Sequence, residues 1–373
     1  MTSRREAKFF FFILVDNDYR YYLWTEMEKR ALAYRDGAQS AGSKARAYSI
    51  QGRVKKEMKK VLVLAILCMV LVLSACGSAK TTGEKGESGQ AAFKEIENAR
   101  GDKIKLPLHP KRIADLSGST EELLLLGIKP IASANADFGV RDVFTPTIKD
   151  KLDPDTINLG WYAEPIGIEL VADAEPDLII LGTLFNEDLY EQLSQIAPTV
   201  VVPHPYYAWR ERFAFLAELF DKKDVMDKWL VEYEQKVVDW KDKLTPIIQD
   251  QSFAMIETYP NNLVAYSSTG SAELIYKDFG FKRTEGIPEP DHWGGREMSL
   301  EGLSTINPDH LLIMENSENK MSDSKVWGNL KAVQQDNVYR ITNIDNYNYS
   351  YTAMGRMHLL DEIGTLILEK NKK

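Results

Sequence analysis

The 373-residue sequence predicts an α/β fold of two Rossmann-like lobes joined by one long α-helix. Three observations carry that expectation. Apolar runs of strand length alternate with helical patterns on both sides of the middle, the pattern of a doubly wound parallel sheet. One phrase occurs in each half: Glu169 to Ile180 and Glu301 to Leu312 both run Glu, seven residues, Asp, then an apolar strand, with Pro176 or Pro308 directly before the Asp. Between the halves, Val225, Met226, Trp229, Leu230, Tyr233, Val237, Trp240 and Leu244 recur every three or four residues, one apolar stripe down a helix.

In chain order, residues 1–57 hold 12 Lys/Arg against 7 Asp/Glu and no clear period. They read as a non-native upstream extension, because Met58-Lys59-Lys60 is itself a normal start. Residues 58–76 have the parts of a secretory signal: two lysines, the uncharged run Val61 to Leu73, and small residues before a cut site. The apolar run is short for a membrane span of about twenty residues. Its ending, Leu73-Ser74-Ala75-Cys76, resembles a bacterial lipobox, which implies Cys76 as the lipid-modified first residue of the mature chain. Residues 77–92, rich in Gly, Ser, Thr, Lys and Glu, read as a flexible tether. No cysteine follows Cys76, so no disulfide framework supports the exported part. Removing the upstream +5 and the two signal lysines from the overall −9 leaves −16, which argues against nucleic acid as a partner.

The first lobe, 93–221, opens with a hairpin turning at Gly101, then the strand Arg112 to Leu116. Ser119-Thr120-Glu121-Glu122 has the spacing of a capping box for a helix through Leu126, with Gly127 as its stop. Strands follow at Pro130 to Ser133, Leu178 to Leu181 and Thr199 to Val202, with helices at Ile168 to Ala174 and Asp188 to Ile196. The joining helix, 222–246, places Asp224, Glu232 and Asp239 four residues before Lys228, Lys236 and Lys243, and Pro246 is expected to stop it. The second lobe, 247–373, repeats the grammar: strands Phe253–Ile256, Leu263–Tyr266, His310–Met314 and Val338–Ile341, with helices Ala272–Phe279, Leu300–Ile306, Leu330–Val333 and Thr352–Leu368.

The lipobox, the Arg112-Ile113-Ala114-Asp115-Leu116 strand with Glu121 to Pro130 behind it, the paired Glu/Pro-Asp phrases and the single central helix together resemble one family. It is the iron–siderophore substrate-binding lipoproteins of bacterial ABC importers, akin to the vitamin B12-binding proteins, and the likeness covers roughly Phe93 to the C-terminus. The resemblance implies a ligand cleft between the lobes, the helix as hinge, a permease dimer with a cytoplasmic ATPase as partner, and attachment to the extracytoplasmic face of the cell membrane of a Gram-positive bacterium. It also implies that Glu169 and Glu301 dock on arginines of the two permease subunits. Each opens its helix, where a carboxylate also suits the positive dipole end. A monomer without resident cofactor is expected, the iron(III) arriving inside the siderophore.

Ligands of open α/β lobes sit beyond the carboxyl ends of strands, so candidates were sought in the loops there. These are Arg141, Trp161, Tyr162, Trp209 and Arg210 in the first lobe, and Trp293, Arg296, Trp327, Tyr347 and Tyr349 in the second. The aromatics would wall a chelate, and the guanidinium groups would fork onto oxygens around iron. Tyr347 and Tyr349 are expected on one face of an extended segment. Hydroxamate-binding relatives often carry Trp-Gly-Arg after the strand equivalent to Leu263–Tyr266; here the place reads Ser267-Ser268-Thr269-Gly270. The five histidines lack metal-site spacing, so a direct metal site is not expected. Few basics among many aromatics favour a hydroxamate or mixed hydroxamate–carboxylate siderophore over a trianionic tris-catecholate. Open alternatives are a haem or cobalamin carrier, with Tyr347 or Tyr349 as axial ligand, and an exported enzyme, for which no nucleophile elbow or phosphate loop is found.

Overall fold

The computed structural model describes residues 93–260, 262–291, 294–315 and 321–372. Met58, Cys76 and everything read as extension, signal and tether lie outside the described residues, as does Trp293.

Phe93–Glu97 (β1) and Lys103–Pro107 (β2) form the expected hairpin, with Gly101 at φ 83° in its turn. Five parallel strands then make the first sheet. They are β3 (Ile113–Leu116), β4 (Ala132–Ser133), β5 (Ile157–Asn158), β6 (Leu178–Leu181) and β7 (Thr199–Val201), in spatial order β5-β4-β3-β6-β7. The second sheet corrects the expectation of a purely parallel lobe. Its path is β11-β9-β8-β12-β13, with β10 beside β8: β8 (Ser252–Thr258), β10 (Lys282–Arg283), β12 (His310–Glu315) and β13 (Val338–Thr342) run parallel, while β9 (Leu263–Tyr266) and β11 (Gly295–Met298) run against their neighbours. The reason is connection length. A parallel crossover needs a dozen or more residues, and the link from Thr258 to Leu263 closes on itself through Tyr259 N–H to Asn262 C=O at 3.0 Å.

The repeated phrase is a repeated structural device. Asp177 accepts from the backbone N–H groups of Lys111 and Arg112 at 2.8 and 2.9 Å, tying the loop before β6 to the start of β3. Asp309 accepts from Ser252 N–H at 2.8 Å, tying the loop before β12 to the start of β8. In both lobes the Pro-Asp pair therefore pins two neighbouring parallel strands in register.

The central helix runs Lys223–Ile248, 26 residues, about 39 Å at the usual rise. Met226, Tyr233, Val237, Trp240, Leu244 and Ile248 are its buried stripe. Pro246 does not stop it: in the last turn the ring forfeits one hydrogen bond, and the chain leaves helical geometry only at Gln249, φ 54°. The acid-before-base pairs are also replaced. Lys236 reaches Asp361, Asp239 accepts from Gln235 at 2.9 Å, and Lys243 lies over the Trp240 ring at 4.6 Å. The closing helix, Ala353–Lys370, packs along this rod, with Gly364 so close that a Cβ there would meet the Trp240 ring at 2.6 Å.

A second correction concerns Ser119–Glu122. Ser119 makes no side-chain cap on its own helix, Thr120–Leu125. The two glutamates turn inward instead and accept from the far end of the chain: Glu122 Oε1 from Ala353 N–H at 2.9 Å, and Glu121 Oε2 from Gly355 N–H at 2.8 Å. They cap the closing helix across the molecule, where its positive dipole end welcomes them. Beside them, Arg356 is fully buried, ion-paired to Asp278 and donating to Gly270 C=O at 2.7 Å. Asp278 ends the π-helical turn Leu274–Asp278 that replaces the ordinary helix expected to reach Phe279, and it also accepts from Tyr233 at 2.7 Å.

His310 proves to be packing. Its ring stacks on Phe253 at 4.7 Å, its Nδ1 is 3.0 Å from the Tyr339 hydroxyl, and burial holds it down to about 4. Below about 6.5 the unfolded chain takes up this proton and the folded chain does not, so the contribution is complete above 6.5 and shrinks towards pH 4. Glu121 and Glu122, whose carboxyls burial pushes up, run the other way, which makes a difference measurement necessary. His310→Phe should lose less stability than the parent between pH 6.5 and 4 in denaturant titrations; parallel curves would refute the assignment.

Candidate functional site

The loops that follow β4, β5, β6 and β7 at the carboxyl ends of the first sheet carry aromatic rings. Asn135 bridges Trp161 and Ala136 bridges Phe144, so the segment around Phe138 and the turn at Trp161-Tyr162 are held as one unit. Gly118, at φ 77°, lies beneath Tyr162 with no space for a side chain; a Cβ would stand 2.6 Å from the ring. Arg141 locks the rim. It forks onto Glu164 at 2.9 and 3.0 Å, donates to Asp137 C=O at 2.8 Å, and lies 4.8 Å from the rings of both Phe138 and Trp161.

From the second half, Tyr347 and Tyr351 meet these rings. Phe138 stacks at 4.5 Å on Tyr347, Trp161 lies edge-on at 6.2 Å, and Tyr206 meets Tyr351 at 5.0 Å. Tyr162 and Phe185 extend the row through Tyr206. The result is one continuous aromatic seam between the two halves, closed at the rim where Asn348 donates to Asp137 at 2.7 Å and accepts from Phe138 N–H at 2.7 Å. A small pocket opens among Tyr162, Thr183, Phe185, His204, Tyr206 and Arg212. Arg212 donates to Tyr206 C=O and Gly118 C=O, both at 3.0 Å, and its Nε has no partner among the described residues. That N–H donor, within an aromatic wall, suits an oxygen-rich guest.

Beneath Tyr347 lies a carboxyl group that sequence reasoning missed. Glu257, near the end of β8 and 2% exposed, accepts from Tyr266 at 2.8 Å and from Tyr347 at 3.4 Å. Burial pushes it up to about 7, against the tyrosine hydrogen bonds, Tyr259's included, that favour its charge. The available signal was one acid inside the otherwise apolar strand Phe253–Thr258.

The ten ligand candidates thus separate. Arg141, Trp161, Tyr162 and Tyr347 come together in the seam. Tyr349 does not share Tyr347's surroundings, because the expected extended segment is a helix, Asn343–Tyr349, started by a capping box between Thr342 and Asp345; the Tyr349 ring packs on His358 at 4.5 Å. Trp209 is buried on Tyr233 at 5.3 Å, and Arg210 covers it while pairing with Glu234 and Asp278 at 2.9 and 3.2 Å. Trp327 belongs to the core of the second lobe, with Ile256, Leu303 and Leu311. Arg296, on β11, is half exposed and pairs with Asp291 at 3.3 Å. Glu169 and Glu301 are exposed in the first turns of Ile168–Asp173 and Leu300–Ile306. Among the described residues no group of three His, Cys, Asp or Glu side chains is placed to hold a metal ion.

Known proteins share this architecture. The chain is 28% identical over 336 residues to the "Probable siderophore-binding lipoprotein YfiY" of Bacillus subtilis, covering 85% of this chain and 99% of that one. It is 26% identical over 338 residues to the iron(3+)-hydroxamate-binding protein YxeB of the same organism, with 84% and 99% covered. Among solved structures, Staphylococcus aureus SirA, crystallised with staphyloferrin B, superposes with a TM-score of 0.62 at 23% identity, over 74% of this chain and 98% of SirA. The two-lobed fold with its long helix is therefore that of the substrate-binding proteins of siderophore ABC transporters. Residues 116–344 match the family described as periplasmic binding protein, and the chain belongs to that family.

Proposed function

We propose that this protein is a lipid-anchored receptor on the extracytoplasmic face of the membrane. It binds a ferric siderophore, of hydroxamate or mixed hydroxamate–carboxylate type, and hands it to an ABC permease; it is a carrier and not an enzyme. The aromatic seam carries this reading. Rings contributed by both halves converge beyond the strand ends, and the cation at their rim, Arg141, is already forked onto Glu164. A chelate of low charge, with its iron shell complete, needs flat apolar walls and a few donors and no side-chain ligand to the metal. A trianionic chelate would need several cations to offset its desolvation. The relatives named for siderophores and hydroxamate support the same class, and Cys76 supplies the anchor.

The test is direct. Protein purified from iron-starved cells should release a ferric chelate detectable by mass spectrometry. Trp and Tyr fluorescence should quench on titration with ferric hydroxamates at much lower concentration than with a ferric tris-catecholate. Tighter binding of the catecholate would reverse the ligand assignment. Failure to bind any ferric chelate would remove the receptor reading itself.

A further inference from the structure

Glu257 is not explained by walls for a chelate. An acid at the floor of an aromatic seam weakens binding of anions, and a buried carboxylate without a counter-ion is costly. Its partners are tyrosyl hydroxyls, from Tyr266, Tyr347 and Tyr259. Among the described residues no cation is paired with it: Arg356 is committed to Asp278 and Gly270, Arg212 to Gly118, Tyr206 and Glu122, and the part-exposed Arg141 to Glu164. Around the carboxyl stand the rings of Tyr266 and Tyr347, with Tyr351 6.3 Å beyond Tyr347. Tyr347 also touches Phe138 across the seam, so one side chain separates Glu257 from the surface at which the two halves meet. A buried carboxylate held by tyrosyl hydroxyls, with no cation paired to it among the described residues, is the arrangement that attracts an ammonium group, through charge and charge-assisted hydrogen bonding.

We propose that Glu257 and its tyrosines form the seat for a protonated amine carried by the ferric chelate, so that this receptor selects ligands with a cationic arm. The inference rests on the ferric-siderophore reading above. On binding, the arm displaces Tyr347 from Glu257 and sits against the carboxylate, while the iron shell lies on the seam. Neutral and anionic arms find the same walls and lose only the charged contact.

Two chelates with one iron shell separate these cases: ferrioxamine B, whose three hydroxamates leave a free primary ammonium, and the same chelate acetylated on that amine. Fluorescence titration at neutral pH should give the parent protein an advantage of about tenfold or more for the ammonium form, as a charge-assisted contact supplies. Glu257→Gln, which keeps the shape of the side chain, should lose that advantage, read as the ratio of the two affinities within the variant. Equal affinity of the parent protein for both forms would overturn the amine seat and leave the receptor reading standing, and so would an advantage that survives in Glu257→Gln. If neither form binds, the hydroxamate reading falls and takes the seat with it. The comparison within the parent protein does not depend on how the variant folds.

Discussion

Arg356→Leu is expected to be the most damaging single change in the described part of the chain. Its guanidinium is fully buried at the start of the closing helix, paired with Asp278 and close to Glu273 at 3.9 Å. Asp278 is held below its ordinary range: burial alone would raise it, and Arg356 and Arg210 outweigh that. Removing Arg356 leaves Asp278 facing Tyr233 and one remaining arginine in a site that excludes water. Breaking a buried pair from one side costs about 3–5 kcal/mol, against the roughly zero to 1 kcal/mol of an exposed pair. A control on the surface pair Lys129 to Asp153 should accordingly change little. Denaturant titration reads both, and a loss below 1 kcal/mol for Arg356→Leu would show that the network is ornamental. A double change that also replaces Asp278 by Asn should recover part of the loss, because the orphaned charge is then gone.

The second large effect is functional. Glu169→Ala and Glu301→Ala should each reduce siderophore-dependent iron uptake by whole cells at least about tenfold, the size of a lost charge-assisted contact, while the purified protein keeps its affinity for the ferric chelate. Both carboxylates are exposed, open equivalent helices, and precede the same Pro-Asp device in the two lobes. Under the proposed docking, that equivalence would offer a two-subunit permease two equivalent handles. If the affinity falls with the uptake, the acids serve the cleft, and the docking role is refuted. If uptake is unchanged, neither acid takes part.

Much of the fold was legible because it is written in local chemistry. Leu178–Leu181, Leu263–Tyr266 and Leu300–Ile306 fall where hydrophobic runs and helix-opening residues place them. Elements were misread where a second partner, distant in sequence, decides the outcome. Glu121 and Glu122 have capping-box spacing, yet the donors that claim them lie more than 230 residues away. Arg210 follows a tyrosine-bearing loop, which read as ligand chemistry; it lies in the first turn of the helix Trp209–Leu219, where Glu234, Glu273 and Asp278 hold it. The tyrosine run was a different failure, since Thr342-Asn343-Ile344-Asp345 announces a helix start in plain spacing and its alternating tyrosines suggested a strand. The seam itself was half legible. Loop aromatics pointed to Trp161, Tyr162 and Tyr347, but which of ten candidates converge depends on how two lobes meet, and no local pattern encodes that.

The capping of the closing helix by Glu121 and Glu122 also sets an order of assembly. These acids are synthesised well before their donors, at Ala353 and Gly355, which lie more than 230 residues later in the chain. Until then two carboxylates destined for burial have only their partners within the first lobe, Thr147 for Glu121 and Arg212 for Glu122, and the oxygens meant for the closing helix must stay hydrated. Removing the segment from Ala353 onward would therefore strip more than a tail. It would take away the donors that let Glu121 and Glu122 lie dry in the interior, so a chain cut before Ala353 is expected to stay open and visible to proteases.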